Sequence, residues 1–366
     1  SDGRVTTMPR DTNGFADFAP TTLYDRAFTV RGLPTITDSS GTQPEILVWN
    51  DNGRRGGENE WLLALKSFGY DEGIQFDTYT TQGPTSGVGN GLGSAGAHGA
   101  TSAQLAGYDH LLYFAGSQTT HLLSDGSNRS GNDKGDDIGV LEDWQAIPGT
   151  RNVAYFGDYI ATALINDSGA GAAYVGTHMG IAYGDTDVRD VIGGQTAPII
   201  VPDAAGPFAS HFATDYVAYG GCLTINQFDQ VQPAAGASAG HLFTDASGVP
   251  IPPNPDPLAG GVASVIYPRV NGLSITFPHA FECMYDLRAR TDGPGARSAV
   301  LHEVLAGVFV APGNPVAAPP TPYELALSTF PNPFNPSTTV KFTAAIGSRG
   351  SVRVSNLRGE LVTTLH

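Results

Sequence analysis

The chain has 366 residues, with 19 basic and 35 acidic side chains and a formal net charge of −16. That charge repels nucleic acid and anionic membrane across the whole surface and excludes both as partners. No run approaches the roughly 18 apolar residues with which a helix crosses a bilayer, so no direct membrane insertion is expected. Gly (47) and Pro (26) make about a fifth of the chain while 40% is hydrophobic, the composition of a loop-rich protein that still builds a core.

A chain of this length is expected to hold one large domain with smaller attachments. The N-terminus SDGRVTTMPR lacks the apolar centre of a signal peptide, so any export signal is expected upstream of it. Within residues 1–40, the run TTLYDRAFTVRG sets Leu23, Phe28 and Val30 among polar neighbours. It reads as the last strand of a preceding β domain.

From residue 41 the pattern changes to short apolar strands alternating with helical stretches. Strand EILVWN (45–50) precedes the loop DNGRRGG and a helix in which Trp61, Leu62, Leu65 and Phe68 recur at helical spacing. Strand FDTYTT, helix TSAQLAGYD, strand HLLYFAG (110–116), helix DDIGVLEDWQAI, strand RNVAYFG (151–157) and helix DYIATALIND follow. Four such units predict an α/β domain over 41–312 with a doubly wound, mostly parallel sheet. After Gly169 the segments PIIVP, DYVAYGGCLTI, GHLFTD, ASVIYP and LSITFP read as strands, and ARSAVLHEVLAGVF (296–309) as a closing helix. A Pro-rich stretch supplies a stiff linker over 313–324, and a β segment occupies 325–366.

That last segment carries Pro331, Asn332, Pro333, Phe334, Asn335 and Pro336, then Thr338 and Phe342, then LRGELV over 357–362. Three prolines fix φ and pin the turn, Asn side chains cap its backbone, and Gly359 supplies a permissive hairpin position. The segment resembles the C-terminal sorting domain of type IX secretion substrates. The resemblance implies a partial Ig-like β-sandwich, the type IX secretion machinery as a partner, and a secreted or outer-surface fragment of a larger bacterial protein. A generic β-sandwich with no sorting role is the bland alternative.

The order of strands and helices over 45–310, with an Asp-Asn-Gly loop after the first strand and a sharp turn after the fourth, is similar to the class I glutamine-amidotransferase-like fold. Active members of that family place a Cys at the elbow after the strand equivalent to RNVAYFG, beside a His and a Glu. Here the elbow reads Gly157-Asp158-Tyr159, and Asp158 cannot do the thiolate's work. The resemblance therefore implies a non-catalytic relative. His279 and Glu282, one residue further apart than the family's His-x-Glu pair, are either its remnant or ordinary polar residues at a strand end. A hydrolase using Asp158, His279 and Glu282, or the non-catalytic tail of a secreted protease, is the alternative function.

Other signals are weaker. The loop over 125–137 carries Asp125, Asn128, Asn132, Asp133, Asp136 and Asp137. These are hard oxygen donors of the kind Ca²⁺ prefers, though not in EF-hand register, and a solvated polar loop is the favoured reading with calcium the alternative. No other cofactor is expected. Cys222 and Cys283 are expected to pair as a disulfide in an oxidising compartment. Nine histidines without zinc spacing argue against zinc. Gly236 to Gly240 matches Gly-x-Ser-x-Gly without the strand and helix that a nucleophile elbow needs. Gly91 to Gly96 matches Gly-x-Gly-x-x-Gly with no strand running into it. Strand edges at both chain ends point to a homo-oligomer or a head-to-tail filament.

Overall fold

The computed structural model describes residues 5–8, 28–36, 41–52, 56–81, 92, 99–120, 122–127, 135–185, 199–218, 228–244, 261–286 and 295–310, with the strand residues 327–330, 339–342, 352–355 and 361–365. The chain divides into two compact units, Ser1–Val316 and Ala317–His366.

In the first unit, β1 (Val5–Met8) and β2 (Phe28–Arg31) pair antiparallel as a two-stranded sheet. The single terminal strand expected near residue 30 thus has a partner within its own chain, and one of its edges is taken. In chain order there follow β3 (Ile46–Asn50), α1 (Glu58–Ser67), β4 (Phe76–Thr80), α2 (Ser102–Leu105), β5 (His110–Gly116), α3 (Asp137–Ala146) and β6 (Asn152–Gly157). Next come α4 (Ile160–Asp167), α5 (Gly169–Thr177), β7 (Ile181–Asp185), β8 (Ile199–Pro202), β9 (Tyr216–Ala218), β10 (Gln230–Pro233), β11 (Ser238–Thr244), β12 (Val262–Arg269), β13 (Gly272–Phe277) and β14 (Met284–Asp286). Helix α6 (Ala296–His302) runs on as a π-helix over Glu303–Val308. In the second unit, β15 (Leu327–Phe330) pairs β16 (Thr339–Phe342), and β17 (Val352–Ser355) pairs β18 (Leu361–Leu365), both antiparallel.

Twelve strands form one sheet, in the order β14-β9-β8-β11-β12-β13-β6-β5-β3-β4, with β10 and β7 branching from β12. The run β4-β3-β5-β6-β13 is parallel. Beyond β13 every pairing is antiparallel. The expected mostly parallel sheet is therefore corrected to a mixed one in an α/β fold. The reason is the connections: β12 turns into β13 through Val270 and Asn271, and so short a link permits an antiparallel neighbour alone.

Strands β3, β5 and β6 are buried along their whole length, as strands covered on both faces must be. Register sets Phe114 beside Phe156 and Phe156 beside Phe277, so their rings stack at 5.1 and 4.8 Å on the face covered by α1 and α6. On the opposite face, Trp49, Tyr113 and Tyr155 meet edge-to-face beneath α3, α4 and α5.

Helix α5 occupies a stretch expected to be β-rich. Its sequence GAGAAYVGT has little apolar periodicity, but a Cβ on Gly171 would collide with the Leu164 carbonyl, so α4 and α5 cross closely because glycine stands there.

Candidate functional site

Numbering the parallel strands by their order in the chain, their order in space is 2-1-3-4-5. The winding therefore reverses between β3 and β5, and open α/β sheets bind ligands outside the carboxyl ends of their strands at such a point. Here the chain's own side chains fill it. Asp51, just past β3, accepts from Tyr113 Oη at 2.6 Å and from the Thr81 hydroxyl, and its carbonyl accepts from Gln118 Nε2. Asn52 donates through Nδ2 to the Gly56 carbonyl at 3.0 Å. Asn50 Nδ2 donates to Glu58 at the start of α1, 2.8 Å away. Gly116, at φ +61°, lies against Asn52 so closely that any side chain there would collide with it.

One strand further on, Asp158 stands at the end of β6, and its amide donates to the Gly116 carbonyl at 3.0 Å. Its Oδ1 accepts from the Ala280 amide at 2.6 Å and lies 3.8 Å from Cys283 Sγ, while Oδ2 is buried with no hydrogen-bond partner among the described residues. Burial, with Glu282 and Asp229 nearby, holds this carboxyl well above the usual carboxylate range.

The start of α4 is an anion-binding position, because its first amides lack intrahelical partners. Asp229 fills it: Oδ2 accepts from Ala161 N at 2.6 Å and Thr162 N at 3.1 Å, and the Asp229 amide donates to the Asp158 carbonyl at 2.7 Å. Sequence reasoning passed over Asp229, which is 68 residues from Ala161 and belongs to no motif.

The described contacts take Asp158, His279 and Glu282 in different directions. His279 is fully buried, its Nε2 lies 2.9 Å from Tyr216 Oη, and its ring packs among Tyr216, Phe228 and Phe277. Burial pushes it down to about 3, so the imidazole is neutral. Glu282 leans on the start of α1, with Oε2 2.9 Å from where a Cβ on Gly57 would sit, and burial raises its carboxyl. Among the described hydrogen bonds, none joins Asp158 to His279 or to Glu282, so the base-to-nucleophile contact of a catalytic pair is not made there.

The remaining expected residues divide by location. Asn128, Asn132 and Asp133 lie outside the described residues. Asp125 accepts from Ser127 N, Asp136 caps α3 by accepting from Gly139 N, and the buried Asp137 accepts from Leu92 N and Ser124 N at 2.5 and 2.8 Å. Backbone amides thus engage the three described carboxylates. No cluster of three or more His, Cys, Asp or Glu side chains suited to a metal ion occurs among the described residues. Cys222 lies outside the described residues, and the pairing with Cys283 lies there with it. So does the whole motif of Pro331, Asn332, Pro333, Phe334, Asn335 and Pro336. Ser238 opens β11 opposite Ile266 in an antiparallel ladder, which is no nucleophile elbow.

No protein-family model matches the sequence, and no curated protein matches it. Solved structures to which the chain is similar include a β-galactosidase from Bacillus circulans sp. alkalophilus, at 13% identity and TM-score 0.37, over 72% of this chain and 30% of that one. A ThuA-like protein from Bacteroides uniformis matches at 12% identity and TM-score 0.36, over 75% of this chain and 94% of that one. A cytoplasmic protein from Salmonella typhimurium LT2 matches at 11% identity and TM-score 0.39, over 72% of this chain and 99% of that one. This chain spans about a third of the length of the β-galactosidases it matches.

Proposed function

We propose that this chain is a non-catalytic, amidotransferase-like α/β module of a larger exported bacterial protein, which serves as a structural or binding element at the cell surface. The observation that carries the reading is the filled carboxyl edge. The elbow holds the buried acid Asp158 in place of a nucleophile, and Asp229 takes the anion-binding start of α4. Export rests on the PNPFNP motif over 331–336 and its similarity to type IX sorting domains, and the acidic surface accords with an extracellular setting.

Two measurements test it. The purified chain should release no ammonia from glutamine and hydrolyse no ester or amide panel above a buffer blank, and activity abolished by Asp158→Ala would overturn the non-catalytic part. In a host with type IX secretion, the chain should reach the surface with residues 331–336 intact and remain periplasmic when Pro331, Pro333 and Pro336 are changed to Ala. Equal surface delivery of both would overturn the sorting part.

A further inference from the structure

The opposite edge of the parallel strands is open. A cavity of about 490 Å³ lies between the C-terminal ends of α3 and α5 and the turn from β12 to β13, within the size range of small-molecule sites. Glu142, Gln145, His178, Tyr267, Arg269 and Asn271 contribute to its wall.

Arg269 lines this cavity and donates through Nη2 to the backbone carbonyl of a second arginine, Arg151. Arg151 Nη1 reaches the Asp109 carboxylate at 2.7 Å. Arg269 has only neutral acceptors among the described residues: Nε donates to Ser274 Oγ at 2.8 Å, and Nη2 to the carbonyls of Arg151 and Leu273. These bonds fix the guanidinium and leave the two Nη1 protons without a described acceptor. Burial lowers the Arg269 pKa from its ordinary value, the mark of a charge held out of water. A fixed, largely buried guanidinium that lines a cavity and makes no ion pair with a carboxylate among the described residues suits a planar anion.

The rest of the wall suits hydrogen-bond donors on the same ligand. Glu142 lies 3.4 Å from His178 Nε2, and burial, with the Arg269 charge nearby, pushes His178 down to about 4, so the imidazole is neutral and Glu142 makes no ion pair with Lys or Arg among the described residues. Behind them, His178 Nδ1 meets Gln145 Oε1 at 2.5 Å. Gln145 Nε2 donates to Tyr174 Oη at 2.9 Å and Tyr155 Oη at 3.3 Å, and those two hydroxyls are 2.7 Å apart. This buried chain holds the wall in one geometry before any ligand arrives.

We propose that this cavity binds a small organic carboxylate that also carries hydroxyl or ammonium donors, with the carboxylate on Arg269 and the donors on Glu142. The site is independent of the filled carboxyl edge and of the export reading.

The test is calorimetric titration of the full chain with three probes: glucuronate, its uncharged counterpart glucose, and the zwitterion L-serine. Saturable binding of glucuronate or L-serine, with glucose at least about tenfold weaker, supports the proposal, and the stronger of the two charged probes identifies the donor group. Arg269→Gln should weaken that probe at least about tenfold. Because Arg269 also braces Ser274 and two carbonyls, Ala146→Trp is the companion variant. It fills the cavity from an exposed position, and it should abolish binding with the melting temperature unchanged. Equal binding of glucose and glucuronate, no binding of either charged probe, or undiminished binding by Ala146→Trp would overturn the proposal.

Discussion

The two edges of the parallel sheet use similar side chains to opposite ends. At the carboxyl edge, where this architecture usually receives ligands, Asp229 caps α4, Asp158 holds the Ala280 amide, and Asp51 and Asn52 knit the β3 loop to β4 and β5. At the amino edge the charge matching is incomplete: Arg151 has Asp109, while Arg269 has carbonyls and a hydroxyl. What is left over differs in kind: at the carboxyl edge the buried Asp158 Oδ2, closed off from solvent, and at the amino edge the Arg269 guanidinium on the wall of a cavity.

The comparison breaks first in acid. His279 and His241 are fully buried, and burial holds both at about 3, far below the 6.5 of the unfolded chain. For a base with a lowered folded pKa, the unfolded state binds more protons below pH 6.5. The neutral histidines' contribution is therefore whole above about pH 6.5 and is lost as pH falls toward 3. At pH 4 each should cost roughly 3 kcal/mol. Urea midpoints measured between pH 7 and 4 should fall steeply, and His279→Gln, which keeps an acceptor for Tyr216, should flatten the slope. A midpoint unchanged from pH 7 to 4 would show that these imidazoles are hydrated.

The next effect isolates the carboxyl edge. Asp229→Ala leaves the amides of Ala161 and Thr162 buried without their acceptor, and should cost about 3 kcal/mol in urea unfolding. If Asp229 is a built-in occupant of an anion site, formate should restore part of the loss in the variant and leave the parent unchanged. A loss below about 0.5 kcal/mol would mean that water caps α4 equally well.

These residues also mark what the sequence discloses. Strands β3, β5 and β6 are legible as continuous apolar runs because both faces of each are covered, and Asp158 is legible because it follows such a strand directly. Helix α5 is not, since close packing through Gly171 replaces the apolar stripe that reveals a helix. The antiparallel half reads as strands, but its pairing does not, because strands as short as Tyr216–Ala218 carry too little pattern to fix neighbours. Asp229 and Arg269 escape notice because each acts through a partner chosen by the fold: the amides of α4 in one case, and in the other a turn that places Arg269 beneath β6.

The smallest effect is the most discriminating. Asp158 looks like a buried charge at a catalytic elbow, yet burial, reinforced by Glu282 and Asp229, raises its pKa well above the usual carboxylate range and favours the protonated form. The sign follows from a folded pKa above the unfolded one. The folded state holds the proton more tightly, so the group's contribution is whole below the unfolded value near 3.8 and is lost as pH rises toward the folded one. Asp158→Asn replaces a neutral acid with a neutral amide of the same shape and keeps an oxygen for the Ala280 amide. At pH 5 it should therefore unfold within about 1 kcal/mol of the parent. As pH rises to 8, the parent bears an increasing cost for its proton and the variant bears none, so the difference should move in favour of Asn. A catalytic or ion-paired carboxylate predicts the reverse: a large loss on substitution, growing with pH as the charge it supplies is missed. Urea midpoints of the two proteins at pH 5 and pH 8 separate these cases by sign alone.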